Sequence, residues 1–228
     1  MTYFAAKLKK HLHYKFDLVC IMKRTVLLFF LTIAASLVAK CQTNAATKLS
    51  IVIDPGHGGR DSATRGGNVL EKNLVLDVAK ELRIKLVQDG FNVKMTRDDD
   101  SYIPLSERAA TQGDIFISIH ANAVADSIGP SVRSMIKGME IYVPLEPDNR
   151  TILLAKKIEQ RLRLLNGISV RGIKKKSLAV LEARKSTAVL IELGFLSNEE
   201  DLAFLTNKEN QALIAQAFAD GIKNFITR

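Results

Sequence analysis

Two histidines in the body of this chain stand directly behind short β-branched runs. His57 lies in Ile51-Val-Ile-Asp-Pro-Gly-His57-Gly-Gly and His120 in Ile115-Phe-Ile-Ser-Ile-His120-Ala-Asn122. A third run, Val189-Leu-Ile-Glu192-Leu-Gly, carries a carboxylate. Neutral imidazole and carboxylate are zinc's usual ligands when no thiolate is present, and a catalytic zinc takes three of them and leaves a fourth position for water. The chain holds four histidines, of which His11 and His13 fall in the first 47 residues, so only two remain beyond them. Both cysteines, Cys20 and Cys41, fall there too. The third ligand must then be a carboxylate. Glu71 is preferred because it opens a helix whose amino end can face the His57 loop. Asp54 and Asp61 stand as alternatives. Gly58, Gly59, Gly66 and Gly67 give the loop between His57 and Glu71 freedom to fold back. These residues read as a zinc hydrolase.

Glu192 is a separate case. A carboxylate inside an apolar strand costs several kcal/mol unless it is paired or solvated, which points to a role in the site. The glycine-rich stretch matches no dinucleotide or phosphate-loop fingerprint.

These side chains need a scaffold that brings strand ends together. The pattern supplies one. Strands are expected at Ser50–Asp54, Asn92–Thr96, Ile115–His120, Met139–Val143 (nearer an edge), Leu178–Leu181 and Val189–Leu193. Helices are expected at Glu71–Asp89, Leu105–Gln112 with Ser106 as a cap, Asn149–Leu165, Asn198–Leu205 and Lys208–Ile226. In the first long helix Leu74, Val75, Val78, Leu82 and Leu86 fall on one stripe. Pro144 to Ser177 reads as one amphipathic helix and a turn. Alternation of this kind implies a single-domain α/β sandwich, with a mostly parallel twisted sheet of about six strands and helices on both faces. Sites in such sheets form at the carboxyl ends of the strands, where His57, His120 and Glu192 fall.

Composition narrows the class. The 228 residues suit one catalytic domain, 48–228, behind a leader, 1–47. Lys23-Arg24 precedes the apolar run 25–39, too short for a comfortable bilayer span and followed by small residues, as in a secretory signal. Met22 is the expected true start. Cys41, just behind the run, offers a lipid anchor as the lesser reading. No integral membrane domain is expected in the mature form, and export to the periplasm or cell envelope is expected. The net charge of +9 comes largely from the leader, where seven Lys/Arg face one acid. The remaining 26 basic and 23 acidic residues give no reason to bind nucleic acid. The run Arg171-Gly-Ile-Lys-Lys-Lys176 is a local basic patch, read as solvated surface, with contact to an anionic wall polymer as the lesser reading.

Ile53-Asp-Pro-Gly-His57-Gly-Gly, Glu71-Lys-Asn-Leu, Ser118-Ile-His120-Ala-Asn122 and Ile191-Glu192-Leu-Gly-Phe-Leu-Ser-Asn198 resemble the four signature blocks of the zinc-dependent N-acetylmuramoyl-L-alanine amidases of the cell-division and sporulation type. The blocks come in the family's order, and the resemblance spans roughly residues 49–226. It implies that His57, Glu71 and His120 bind one zinc ion and that Glu192 is the catalytic carboxylate. It implies as substrate the amide between N-acetylmuramic acid and L-alanine in peptidoglycan. Gly138-Met-Glu140-Ile-Tyr142 and Arg108 also match family positions, so Glu140, Arg108 and Asn122 are carried as substrate-binding candidates. Asp61-Ser-Ala is less glycine-rich than the family form, and Thr187 stands where proline is frequent. The inhibitory helix of regulated division members is not expected here. Two rivals remain, a zinc carboxypeptidase on wall peptides and a non-catalytic wall-binding or activator module. The products released from peptidoglycan separate them.

Overall fold

The computed structural model describes residues 49–182, 184 and 186–227. The leader, with its apolar run, Met22 and Cys41, lies outside them. Among the described residues no helix is long and apolar enough to cross a membrane.

Six strands form the central sheet. They are β1 (Ser50–Pro55), β4 (Asn92–Met95), β5 (Ile115–Asn122), β6 (Met139–Val143), β7 (Val170–Lys175) and β8 (Thr187–Phe195). A two-residue pair, β2 (Arg65–Gly66) and β3 (Val69–Leu70), makes a separate hairpin. The sheet order is β4-β1-β5-β8-β6-β7. The first four strands run parallel, β6 pairs antiparallel with β8, and β7 runs parallel to β6. The helices are α1 (Glu71–Gln88), α2 (Leu105–Ala110), α3 (Pro130–Met135), α4 (Asn149–Leu162), α5 (Ala179–Glu182), α6 (Glu199–Thr206) and α7 (Lys208–Ile226). The α/β sandwich with a mostly parallel six-stranded sheet is as expected.

Side-chain parity divides the sheet into unequal faces. Ile51, Ile53, Ile117, Ile119, Ile141, Val189 and Ile191 point to one side and pack with the apolar stripes of α1, α4 and α7 into one large core. Leu74, Val75, Val78, Leu82 and Leu86 are all buried there. Val52, Phe116, Tyr142, Ala188 and Leu190 point to the other side, beneath Leu178, Val180 and Leu181. This second cover is thin. The candidate residues His57, His120 and Glu192 lie at or near the strand ends on that face and are partly exposed.

Three expectations are corrected. Leu178–Leu181 is not a strand: residues 179–182 form the short helix α5. Its apolar residues cap the second face rather than joining a ladder, and a four-residue apolar run does not distinguish the two. The sixth strand is instead β7, in the stretch read as a turn. Its Arg and Lys residues hide a β-pattern because an edge strand tolerates charge, and such charge blunts the edge. With β7 outside it, β6 lies one strand in from the edge, near it as expected, and all five of its residues are buried. The expected Ser106 cap is also absent, since α2 is preceded by Pro104 and has no side-chain cap.

Caps elsewhere are conventional. Asp148 accepts from the Thr151 amide at 2.7 Å to start α4, and Asn198 accepts from Glu200 and Asp201 to start α6. The contact between α4 and α7 is closer than side chains permit. A Cβ on Gly221 would stand 2.7 Å from Ile158 Cα. Gly221→Ala gains up to about 1 kcal/mol of helix propensity but must push two packed helices apart, at about 1–3 kcal/mol. The variant is expected to melt several degrees below wild type in a thermal denaturation scan; an equal or higher melting temperature would show that the helices separate without strain.

Candidate metal centre and its carboxylates

Sheet register places the chemistry in one row. His120 on β5 is the lateral partner of Glu192 on β8, and Glu192 is the partner of Glu140 on β6. The row below runs Asp54, Ser118, Leu190, Tyr142 and Lys174 from β1 to β7. The His57 loop and the amino end of α1 close over the strand ends beside His120.

Three atoms there make an equilateral triangle. His57 Nε2, His120 Nδ1 and Glu71 Oε1 are each 3.1 Å from the other two. Tetrahedral ligands about 2.0–2.1 Å from a zinc ion are about 3.3 Å apart, so this triangle has the size of one tetrahedral face. His57 Nδ1 lies 2.9 Å from Asp61 Oδ2. A carboxylate only accepts, so Nδ1 carries the proton and Nε2 presents its lone pair to the triangle. Burial pulls the basicity of His57 down, but Glu71 and Asp61 outweigh it and raise its pKa, an attraction that a metal cation would also meet. Burial disfavours charge on Glu71 as well, yet the hydrogen bonds and charges of His120 and His57 bring its pKa down to about 2. Glu71 Oε1 also accepts from the Ala121 amide at 3.0 Å. Two imidazoles and one ionised carboxylate form a donor set that fits a divalent metal.

The loop carrying His57 is held by two buried arginines. His57 has φ +59, a left-handed conformation that costs a non-glycine residue about 1–3 kcal/mol. Arg108 donates to Pro55 O at 2.6 Å, to the His57 carbonyl, and to Asp54 Oδ1 at 2.7 Å. Arg97 donates to Pro55 O at 3.0 Å and to Gly56 O at 2.6 Å. Gly56 must lack a side chain: a Cβ there would meet His120 Cε1 at 2.3 Å. Arg97 was missed in the sequence, where Thr96-Arg97-Asp98 carries no motif.

The remaining candidates divide clearly. Asp54, an alternative ligand, stays outside the triangle and takes bonds from Thr96, Ser118 and Arg108. Asp61, the other alternative, orients His57. Arg108 helps line a cavity of about 340 Å³ with His57, His120, Tyr102 and Leu178, but its guanidinium is engaged by the loop. Asn122 Oδ1 accepts from the Ala123 amide. Glu140 is buried and takes bonds from Tyr142 Oη at 2.6 Å, Arg171 Nε at 2.6 Å and Lys174 Nζ at 2.5 Å.

Glu192 has the opposite surroundings to Glu140. Its Oε2 is buried with no hydrogen-bond partner among the described residues. Burial pushes its pKa up to about 7; His120 and Lys176 oppose the rise, and Glu71 and Glu140 add to it. Glu140 also meets a burial cost, but Lys174, Tyr142 and Arg171 hold its pKa below the ordinary value. Two neighbouring carboxylates driven in opposite directions are a common signature of acid/base chemistry.

The family model for N-acetylmuramoyl-L-alanine amidase matches residues 51–224. The chain belongs to that family. A probable cell wall amidase, LytH, of Staphylococcus aureus is 35% identical over 181 residues, covering 78% of this chain and 58% of the relative. The chain therefore spans less than two thirds of the length of the curated relatives it matches. Among solved structures, the N-acetylmuramoyl-L-alanine amidase AmiC2 of Nostoc punctiforme superposes with a TM-score of 0.71 at 32% identity, over 81% of this chain and 100% of that one. An N-acetylmuramoyl-L-alanine amidase from Clostridium difficile 630 gives 0.73 at 29% identity, over 80% of this chain and 98% of that one.

Two outcomes follow for this amidase-family domain. Asp61→Asn removes the carboxylate that fixes the His57 tautomer, so zinc affinity should fall about 10–100-fold with the fold retained; competition against a chelator measures it. Glu192 predicts a pH effect in metal-free protein. Its folded pKa of about 7 lies above its ordinary value of 4.5, so the folded state holds the proton more tightly than the unfolded state. Stability from this group is therefore fully present below pH 4.5 and is lost as pH rises towards 7. Glu192→Gln should raise the melting temperature at pH 8, by about 1–3 kcal/mol of stability, and change it little at pH 4. A gain of equal size at both pH values would contradict the assignment.

Proposed function

We propose that this domain is a zinc-dependent N-acetylmuramoyl-L-alanine amidase that cleaves the amide between N-acetylmuramic acid and L-alanine in peptidoglycan. The observation that carries the reading is the 3.1 Å triangle of His57, Glu71 and His120 with the unpartnered Glu192 one strand away. His57, Glu71 and His120 would hold the ion. Zinc bound there supplies Lewis acidity, polarising a carbonyl oxygen and acidifying water to a pKa of about 7.

The chain's own groups do the rest. Glu192, beside His120 and free of ion pairing, takes the proton of the attacking water and returns it to the leaving nitrogen of L-alanine. Its raised basicity suits it to both transfers near neutral pH. Asp61 holds the His57 tautomer. Arg97 and Arg108 hold the carbonyls of Pro55, Gly56 and His57, which fixes where the imidazole points. Glu140 stays ionised between Arg171 and Lys174 and so acts through its neighbours. The apolar cavity wall of Ile103, Leu105, Leu178 and Val180 restricts water near the metal ligands. For localisation, the basic-then-apolar leader supports export to the cell envelope, where peptidoglycan is found; N-terminal sequencing of envelope-recovered protein tests it.

Digestion of purified peptidoglycan, with the products identified by mass spectrometry, tests the activity. Zinc-loaded wild type should release intact stem peptides beginning with L-alanine, and a chelator should abolish this. Glu192→Gln should keep its zinc and lose turnover by about 10²–10⁴-fold. Release of single amino acids would replace the amidase reading with a carboxypeptidase one, and near-wild-type hydrolysis by the variant would remove Glu192 from the chemistry.

A further inference from the structure

The basic run Arg171–Lys176, which sequence alone reads as solvated surface, is built into the site face. β7 lies two strands beyond β8 in the sheet. Lys174 is the lateral partner of Tyr142, and its Nζ reaches Glu140 Oε1 at 2.5 Å. Arg171 reaches the same oxygen at 2.6 Å and lies over the Phe195 ring. Lys176, exposed just after the strand, stands 5.2 Å over the Tyr142 ring. One buried carboxylate thus anchors two cations, and an aromatic ring seats the third. Arg171 and Lys174 keep 38% and 40% of their side-chain surface open to solvent.

This rim closes one end of a row that begins at the metal ligands. From His120 the row crosses Glu192 and Glu140 and reaches β7, three strand spacings of about 4.8 Å, or about 14 Å. An extended peptide covers that span in about four residues at about 3.3 Å each. With the scissile amide at the metal ligands, the second to fourth residues of the leaving peptide would meet the cations. Glu140 neutralises only one of the three positive charges, so the rim keeps an excess that favours anions. We propose that Arg171, Lys174 and Lys176 form a subsite for the free carboxylates of the leaving peptide, so that the domain selects acidic stems over amidated ones. The proposal rests on the amidase reading for the direction in which the substrate lies.

Binding of product peptides tests it without turnover. Zinc-loaded wild type is titrated calorimetrically with L-Ala-γ-D-Glu-L-Lys and with the same peptide amidated at its carboxylates. Both share the L-alanine amine, so any contact of that amine with the metal cancels. The acidic peptide should bind about five- to tenfold more tightly, with the preference shrinking as salt rises. Lys176→Gln and Lys174→Gln should each reduce the preference, and Lys176→Arg should keep it. Equal affinity for the two peptides overturns the proposal, as does a preference unchanged in both glutamine variants. Loss of poly(glycerol phosphate) binding in the variants, with peptide preference intact, also overturns it and makes the rim a polymer site. Hydrolysis of a muramoyl peptide by the same wild-type sample runs alongside. Selective binding without hydrolysis keeps the rim and overturns the amidase reading; hydrolysis without selectivity does the reverse.

Discussion

The site depends on the clamp that two buried arginines place on the backbone behind β1. His57 reaches its triangle with Glu71 and His120 from a left-handed conformation, which an ordinary residue leaves unless its neighbours fix it. Arg108 and Arg97 supply that constraint by donating to the carbonyls of Pro55, Gly56 and His57. Arg108 is itself oriented by the buried carboxylate of Asp54, which Ser118 and Thr96 also hold. Breaking a buried pair of this kind costs about 3–5 kcal/mol, because the remaining charge has no partner. The placement of the imidazole is thus a consequence of charge burial several ångströms away. Gly56 completes the constraint, since only a bare Cα lets the His120 ring lie against the loop.

A second constraint is register. Parallel pairing of β5 with β8 and antiparallel pairing of β8 with β6 set His120, Glu192 and Glu140 side by side. A slip of one residue would turn Glu192 into the core formed with α1, α4 and α7. The apolar parity of Val189, Ile191 and Leu193 on that core side prevents the slip. The packing that stabilises the sheet therefore also aims the carboxylates. Unequal cover completes the arrangement: three long helices bury one face, while Leu178 and the short α5 cover the other, where His57 and His120 keep part of their surface exposed.

Much of this was legible in the sequence for a definite reason. β1, β5 and β8 are nearly continuous apolar runs, so polar residues at their ends stand out, and α1 shows its buried stripe openly. The elements misread are those whose pattern is weak or local. β7 is an edge strand, charged on the side where its partners lie in space, and Leu178–Leu181 is too short to show a period. The roles of Arg108, Arg97 and Glu140 depend on hydrogen bonds to residues far away in sequence, for example from Arg108 to Asp54 at 54 residues' separation. Residue type and spacing carry no record of such a bond. The domain's basic run is solvated as expected, but its anchoring by the buried Glu140 was not legible, because Glu140 belongs to another strand.

The face carries three glutamates whose ionisation differs although the residue type is the same. Glu71 meets two imidazoles and a backbone amide, and its pKa falls to about 2. Glu140 meets Tyr142, Arg171 and Lys174, and its pKa also falls. Glu192, beside Glu140 in the row, meets burial and the negative charges of Glu71 and Glu140, and its pKa rises to about 7. Each ionised neighbour makes the Glu192 proton harder to remove, so the two anions help to make it the one of these three glutamates that titrates near neutral pH. The cations on β7 set the strength of this effect. If Arg171 and Lys174 did not hold Glu140 ionised, its charge would no longer raise Glu192, which would lose part of its basicity. Arg171 and Lys174 thus act on Glu192 through Glu140, while Lys176 opposes the rise directly.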